Sequence, residues 1–174
     1  MTDIENIMKN ENNDTSEREQ MTSVILHAPI ETVWKVWTTP GHIKHWWGPN
    51  GYTNTIKKME VKNGGEWVFV MHGPNQHDYP NRTIFREVIK HKKIVHEHFD
   101  PNFIAIIEFE NQCEKTLLNW YKLYETKELF EMVEIHYKAN EGFKQTIEKL
   151  KSYLIKLTWE TQKLWSQNGL GTGL

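Results

Sequence analysis

The sequence lacks several features that would point to a particular class of protein. It contains one cysteine, Cys113, which excludes an internal disulfide framework and fits a reducing compartment. Its 21 basic and 23 acidic residues leave a net charge of −2, which gives no basic surface for nucleic acid. No apolar run of about 18 residues occurs, and residues 1–20 lack the basic-then-apolar order of a secretory signal. We therefore expect one cytoplasmic domain without a nucleic-acid or membrane partner.

Sequence motifs of the common enzyme classes are also missing. Gly64-Gly65 is typical of a hairpin turn and lacks the GxGxxG or GxxxxGK spacing of a phosphate loop. Neither a GxSxG elbow nor an HExxH zinc motif occurs. Cys113 lies in a polar turn with no patterned base beside it, which predicts an inert surface thiol. We assign no catalytic residue and no cofactor, and a protein without enzymatic activity is favoured.

Nine histidines raise the question of a metal site. His96 and His98 alternate on a predicted strand and so share a face, which suits zinc or iron if a third ligand joins them. His42 and His45 are three residues apart on a short helix, which also permits joint ligation. However, no carboxylate or cysteine recurs at ligand spacing, so we predict no metal site.

Four of the eight tryptophans lie between His27 and Pro49. Pro29 suits a first helical position, and a buried helical face follows at Ile30, Val33, Trp34 and Trp37. Pro40-Gly41 ends that helix, and a second short apolar face follows at Ile43, Trp46 and Trp47. The spacing predicts two short helices.

Alternating apolar residues predict a strand before these helices and a meander of strands after them. The expected strands are 20–27, 52–61, 66–72, 83–89, 94–99, 103–109 and 116–124. Asn63-Gly64-Gly65 is a predicted hairpin turn, and residues 73–81 a longer loop whose His77, Asp78 and Tyr79 could contact a ligand. No strand–helix–strand alternation is visible, which favours an antiparallel sheet.

A long amphipathic helix is predicted from Lys127 to at least Leu157. Its apolar stripe contains Leu129, Met132, Ala139, Phe143, Ile147, Leu150, Leu154 and Leu157. By helical phase His136 falls near the centre of this stripe and should face the sheet, with Asn140 on its flank. Residues beyond Leu157 are expected to add another turn or two before Asn168-Gly169 ends the helix.

Several short motifs, in this order and spacing, resemble one known family. They are Ala28-Pro29, Val33-Trp34, Trp37-Thr38, Pro40, Trp46-Trp47-Gly48-Pro49, Gly64-Gly65, Trp67, Tyr79-Pro80-Asn81, Gly142-Phe143 and Leu150. The sequence resembles the START/Bet v 1-like (SRPBCC) superfamily. Within that superfamily it is similar to the bacterial group named after the activator of heat-shock chaperone ATPase.

The resemblance implies an α+β helix-grip fold. In this fold a curved antiparallel sheet of about six to seven strands wraps around the long C-terminal helix, with two short helices after the first strand. The resemblance covers residues 20–157, which we expect to form the domain. Residues 1–19 are expected to be a flexible N-terminal extension and residues 158–174 a C-terminal extension. In many relatives a cavity between sheet and helix holds an apolar small molecule.

Within such a cavity, aromatic and polar side chains are the candidate ligand contacts. The candidate residues are Trp46, Trp47, Trp67, Phe69, Trp120, His136, Asn140 and Phe143. Plain core packing is the alternative for the aromatic residues, and a buried hydrogen-bonded imidazole is the alternative for His136. Because Trp46 and Trp47 are adjacent on a short helix, one is expected inside and the other at a pocket mouth or interface.

Three functional hypotheses remain open at this point. The leading one is binding of a lipid-like, aromatic or polyketide-like small molecule in the cavity. The second is a cyclase or hydrolase using His136, with His96, His98 or Glu87, as general acid or base. The third is an interaction module, either a co-chaperone-like partner or a homodimer, in which Trp159, Trp165 and the Gly-rich tail cover another surface. Chaperone contact is not expected, because residues 1–19 are too short to form the separate N-terminal domain of the eukaryotic activator.

Overall fold

The computed structural model describes residues 14–167 and shows one antiparallel sheet with four helices in this range. The strands are β1 (Glu19–Leu26), β2 (Thr53–Met59), β3 (Glu66–His72), β4 (Asp78–Ile89), β5 (Lys93–Phe99), β6 (Phe103–Gln112) and β7 (Lys115–Tyr124). The helices are α1 (Ile30–Thr38), α2 (Pro40–Ile43), α3 (Lys127–Tyr137) and α4 (Ala139–Gln167). The predicted α+β helix-grip fold, with two short helices after the first strand, is confirmed.

The seven strands lie in the order β1-β7-β6-β5-β4-β3-β2, and every neighbouring pair is antiparallel. Strands β2 to β7 form the predicted meander, while β1 pairs with the last strand. The register aligns His96 of β5 with Ala105 of β6, and Ala105 with Lys122 of β7. Because side chains alternate between the faces of a strand, this alignment places the three residues in one row on one face.

Strand β4 is longer than its sequence pattern indicates. The loop predicted at residues 73–81 is shorter than expected, because Asp78 already begins the strand and Tyr79 pairs with Met71. Pro80 suggests a loop because it cannot donate to a strand ladder. Pairing of β4 with β5 begins only at Arg82, opposite Phe99. Pro80 therefore lies where β4 has only one neighbouring strand, an edge position at which a proline is tolerated.

The predicted C-terminal helix is divided at Lys138. Helix α3 ends at Tyr137, and Lys138 adopts a left-handed conformation with φ 50° and ψ 54°. Glu134 accepts two hydrogen bonds at this joint. The Lys138 N–H donates to the Glu134 carbonyl at 2.9 Å, and the Asn140 N–H at the start of α4 donates to the Glu134 carboxylate at 2.8 Å. The break separates the helical phase of α3 from that of α4.

Helix α4 carries the predicted buried stripe. Its buried apolar residues are Phe143, Ile147, Leu150 and Leu154. The helix continues beyond Leu157 to Gln167, as expected, whereas the predicted end at Asn168-Gly169 lies outside the described residues. Across residues 14–167, none of the helices combines the length and apolarity that crossing a membrane requires.

The two proposed extensions are described only in part. Residues 1–13 lie outside the described range, and residues 16–18 form a short 3-10 turn before β1. The Arg18 guanidinium donates to the Tyr124 carbonyl at 2.6 Å, which ties this turn to the end of β7. Trp159 on α4 is 62% exposed, and the side chain of Trp165 lies outside the described residues.

Candidate functional site

The face of the sheet that packs against α4 is the candidate binding surface, called here the interior face. It presents Trp67, Phe69, Thr83, Phe85, His96, His98, Ala105, Ile107, Trp120 and Lys122 from β3 to β7. Helix α4 meets it directly, because the rings of Phe143 and Trp120 lie 4.8 Å apart in an edge-to-face arrangement.

Five indole rings form one end of the interior face, and we call them the tryptophan cluster: Trp37, Trp46, Trp47, Trp67 and Trp120. Ring centroids lie 4.9 Å apart for Trp37 and Trp46, and 4.7 Å apart for Trp47 and Trp67. Trp37 also meets Trp120 at 4.8 Å. These spacings fall in the favourable range for aromatic pairs, so the cluster closes this end by ring-to-ring packing.

The structure corrects the expected orientation of the adjacent tryptophans. Trp46 is 0% and Trp47 is 7% exposed, so neither lies outside the core. Helix α2 ends at Ile43, and the two residues follow in turns rather than in a regular helix. Trp46 turns back to α1, where its indole N–H donates to the Val36 carbonyl at 3.2 Å, while Trp47 reaches β3 and β7.

The middle of the interior face carries a second group, which we call the polar row: His96, Ala105 and Lys122. His96 is 1% exposed, and neither of its ring nitrogens has a hydrogen-bond partner among the described residues. Burial lowers the pKa of His96 to about 3, and the charges on His98 and Lys122 act in the same direction. The imidazole is therefore neutral at pH 7, with one free donor and one free acceptor.

Lys122 extends over aromatic rings instead of reaching a carboxylate. Its Nζ lies 4.3 Å from the ring centroid of Phe143, 5.2 Å from that of Trp120 and 5.6 Å from that of Phe103. Within residues 14–167 no hydrogen bond or ion pair of this ammonium group is found. Lys122 is half-buried, and this burial lowers its pKa to about 7, because the charged form has lost part of its water without gaining an anion.

His98 shares the interior face with His96, as the alternation predicts, but its ring nitrogens have polar neighbours, and the neutral imidazole donates its one N–H to one of them. Its Nδ1 lies 2.9 Å from the Pro101 carbonyl oxygen, and its Nε2 lies 2.8 Å from Oδ1 of Asn81. The ring stacks on Phe103 at 4.5 Å. Burial lowers its pKa to about 4. His98 therefore links strands β4, β5 and β6, while His96 remains available.

The remaining histidines do not join the two on β5. His42 Nδ1 lies 2.8 Å from the Tyr153 hydroxyl, and His45 stacks on the same ring at 5.6 Å. In the part of the chain that the structure describes, no three His, Cys, Asp or Glu side chains form a group that could hold a metal ion. A groove of about 340 Å³ adjoins His45 and Tyr153, and its Lys149 donates to the carbonyls of Gly48 and Pro49.

His136 and Asn140 do not occupy the positions that a continuous helix predicts. His136 is exposed, because the break at Lys138 rotates α3 so that Val133 faces inward instead. Asn140 lies at the joint between the helices, where its Oδ1 accepts from the Gln20 side chain at 2.9 Å. Gln20 is opposite Lys122 in the register of β1 and β7. Asn140 therefore lies near the polar row, and His136 does not.

Lys122 is the site residue that the sequence patterns missed. A signal for it exists, because Leu118, Trp120 and Tyr124 alternate with it on β7 and all three are buried. A lysine at an inward position of a strand is uncommon, since charged side chains are rarely buried without a partner. His96 was considered as a metal ligand and as a general acid or base, but its lack of a hydrogen-bond partner was not predicted.

The fold and its interior face define a helix-grip protein, and comparisons with known proteins identify the family. Residues 27–155 match the family described as Activator of Hsp90 ATPase homolog 1-like protein. The chain belongs to this family. A comparison with curated proteins finds no match.

Solved structures of bacterial proteins show the same fold. A protein from Arthrobacter aurescens is 19% identical with a TM-score of 0.76, covering 82% of this chain and 89% of that protein. A protein from Nitrosomonas europaea is 24% identical with a TM-score of 0.74, covering 82% and 97%. A protein from Mycobacterium smegmatis is 18% identical with a TM-score of 0.73, covering 83% and 95%. In each comparison the shared fold covers more than four fifths of both chains.

Proposed function

We propose that this protein binds an apolar or aromatic small molecule between the interior face and α4. The observation that carries the proposal is a set of buried polar atoms without hydrogen-bond partners among the described residues. They are both ring nitrogens of His96, the indole nitrogens of Trp37, Trp67 and Trp120, and the hydroxyl of Thr83. Folded proteins satisfy most buried polar groups, so such a concentration in an aromatic interior favours a ligand that supplies the partners.

The ligand binding of other proteins with this fold supports the same proposal independently. Proteins with this fold often bind small hydrophobic ligands. In an aromatic interior the main favourable term would be burial of apolar ligand surface, about 25 cal/mol per Å² before association costs. The few polar atoms of the interior face would then orient the ligand.

Binding is a better proposal than catalysis because of the interior histidines. His136, the proposed general acid or base, is exposed on α3. Burial lowers the pKa of His96 to about 3 and that of His98 to about 4, far below the working range of a general acid at neutral pH. Glu87 forms an ion pair with Lys93 at 2.7 Å. None of these groups is prepared for proton transfer.

A titration with neutral apolar probes tests the proposal. Decan-1-ol, 2-naphthalenemethanol and a sterol would be titrated while tryptophan fluorescence and thermal unfolding are recorded. At least one probe should change the fluorescence of the buried indoles and raise the melting temperature, because a ligand that binds only the folded state stabilises it.

Two alanine-to-leucine variants, one inside the proposed site and one outside it, locate the binding event. Ala105→Leu adds volume between His96 and Lys122 and should abolish the response to the probes. Ala139→Leu adds the same volume at the partly exposed start of α4 and should bind as the unchanged protein does. Circular dichroism would establish that both variants fold. The proposal fails if no probe binds, or if Ala105→Leu binds as well as the unchanged protein.

A further inference from the structure

We infer that the ligand carries a carboxylate, which lies above Ala105 between the Lys122 ammonium and the His96 imidazole. This inference rests on the proposed function and narrows it to apolar monocarboxylates. The apolar body of the ligand would contact the aromatic rings of the interior face, and its single charged group would meet the polar row.

The register of the sheet places two polar groups on either side of one small residue. Because Ala105 is fully buried, a carboxylate above it requires the side chains packed over it to move apart. His96 lies opposite Ala105, and Ala105 lies opposite Lys122, so the polar row crosses three adjacent strands. Neighbouring strands are about 4.8 Å apart, which separates the backbones of His96 and Lys122 by about 10 Å. Ala105, with 0% exposure, contributes only a methyl group between them. Two long polar side chains thus flank a short one.

The chemistry of the two flanking groups is complementary to one carboxylate. Lys122 offers a positive charge whose contacts in the described residues are aromatic faces, which compensate an ammonium less fully than an anion does. Neutral His96 offers one N–H donor that has no acceptor. A carboxylate has two oxygens, so one can accept from Lys122 and the other from His96.

The count of charges favours a monoanion over a phosphate. Lys122 contributes one positive charge, and His96 contributes none at neutral pH because burial lowers its pKa to about 3. A phosphate dianion would leave a negative charge uncompensated in an aromatic interior, which is strongly unfavourable. A neutral ligand would supply no counter-charge, so the Lys122 amine would stay about half protonated at pH 7.

Matched probes that differ in one group test this inference. Decanoate and decan-1-ol have the same alkyl chain length, and both would be titrated at about pH 6, where Lys122 is mostly charged. Tryptophan fluorescence would report binding to the unchanged protein and to Lys122→Met, which keeps the length of the side chain and removes its charge. Lys115→Met is the matched control, because Lys115 is exposed on the same strand.

The unchanged protein and Lys115→Met should bind decanoate at least about tenfold more tightly than decan-1-ol. Lys122→Met should lose this preference and still bind decan-1-ol. Lys122→Gln serves as a second uncharged variant if Lys122→Met does not fold.

Equal affinity of the unchanged protein for both probes overturns the carboxylate inference and leaves the proposed function standing. A preference for decanoate that survives in the Lys122 variants overturns it as well. If neither of these probes nor any other apolar probe binds, the proposed function itself is wrong.

Discussion

The tryptophan cluster and the polar row occupy the same interior face but are built on opposite principles. In the cluster each ring meets other rings at 4.7–4.9 Å, and apolar contact accounts for the packing. In the polar row a lysine and a histidine are surrounded by aromatic rings without a polar partner among the described residues. The first arrangement stabilises the fold, whereas the second costs stability.

The difference teaches where to look for function in a small sheet-and-helix protein. Tryptophans draw attention in the sequence, but ring-to-ring packing explains the positions of the cluster's rings, and only the unpartnered indole nitrogens of Trp37, Trp67 and Trp120 point to a ligand. Unpartnered polar groups are unfavourable in the free protein, and proteins keep such features where activity or binding requires them. Four predictions follow from this contrast, beginning with the largest effect.

Truncating a fully buried ring of the tryptophan cluster should destabilise the protein most. Trp46→Ala removes a fully buried ring and its hydrogen bond to Val36, and should lower the free energy of unfolding by about 3–5 kcal/mol. Urea denaturation measures this change. Trp159→Ala, at a 62% exposed position, is the control and should change stability by less than about 0.5 kcal/mol. A loss below about 1 kcal/mol for Trp46→Ala would contradict the assigned role of the cluster.

Acidification should weaken the fold through the interior histidines. The folded-state pKa values of His96 and His98 are about 3 and about 4, below the unfolded value of 6.5, so only the unfolded chain takes up their protons between pH 6.5 and 4. The contribution of these two histidines is therefore complete above about pH 7.5 and falls as the pH is lowered. Between pH 7 and 5 the loss should be about 2 kcal/mol for each histidine.

Urea denaturation at several pH values measures this loss. His96→Leu should remove its own share, about 2 kcal/mol, of the pH dependence in that range, because His98, His42 and His45 also have lowered pKa values and still contribute. An unchanged pH dependence in His96→Leu would show that the imidazole is not held neutral in the folded protein.

Removing the charge of the polar row should stabilise the free protein. Lys122→Met replaces a half-buried ammonium by an apolar side chain of similar length, and should raise the free energy of unfolding at pH 7 by about 1–2 kcal/mol. Lys115→Met, exposed on the same strand, should leave it within about 0.5 kcal/mol. If Lys122→Met instead lowers stability, Lys122 has a structural role, and the contrast with the tryptophan cluster disappears.

The smallest effect is expected at the joint between α3 and α4. Lys138 has a φ of 50°, a conformation that glycine adopts at lower cost because it has no Cβ. Lys138→Gly should therefore raise the free energy of unfolding, measured by urea denaturation, by about 0.5 kcal/mol. Lys138→Ala, which keeps the Cβ, should not raise it. Equal effects of the two substitutions would indicate that the left-handed conformation is not maintained in solution.

Local patterns predicted the strands and the family better than they predicted the candidate site. Strand β3 was predicted with its observed bounds, and β5 to β7 within a few residues, because alternation of apolar residues records one buried face directly. The orientation of Trp47 and the exposure of His136 were not predictable in this way. Each depends on the residue at which a helix ends. Tertiary and side-chain hydrogen bonds set these ends, such as the bond from the Asn140 N–H to the Glu134 carboxylate.

By itself the sequence determined that seven strands and a long amphipathic helix enclose one core, because periodicity specifies which face of each element avoids water. Only the tertiary structure decided that Lys122 and His96 flank Ala105 without polar partners in the described residues. The physical reason is that burial follows from side-chain alternation within one strand, whereas hydrogen-bond partnership depends on the register between strands distant in the sequence.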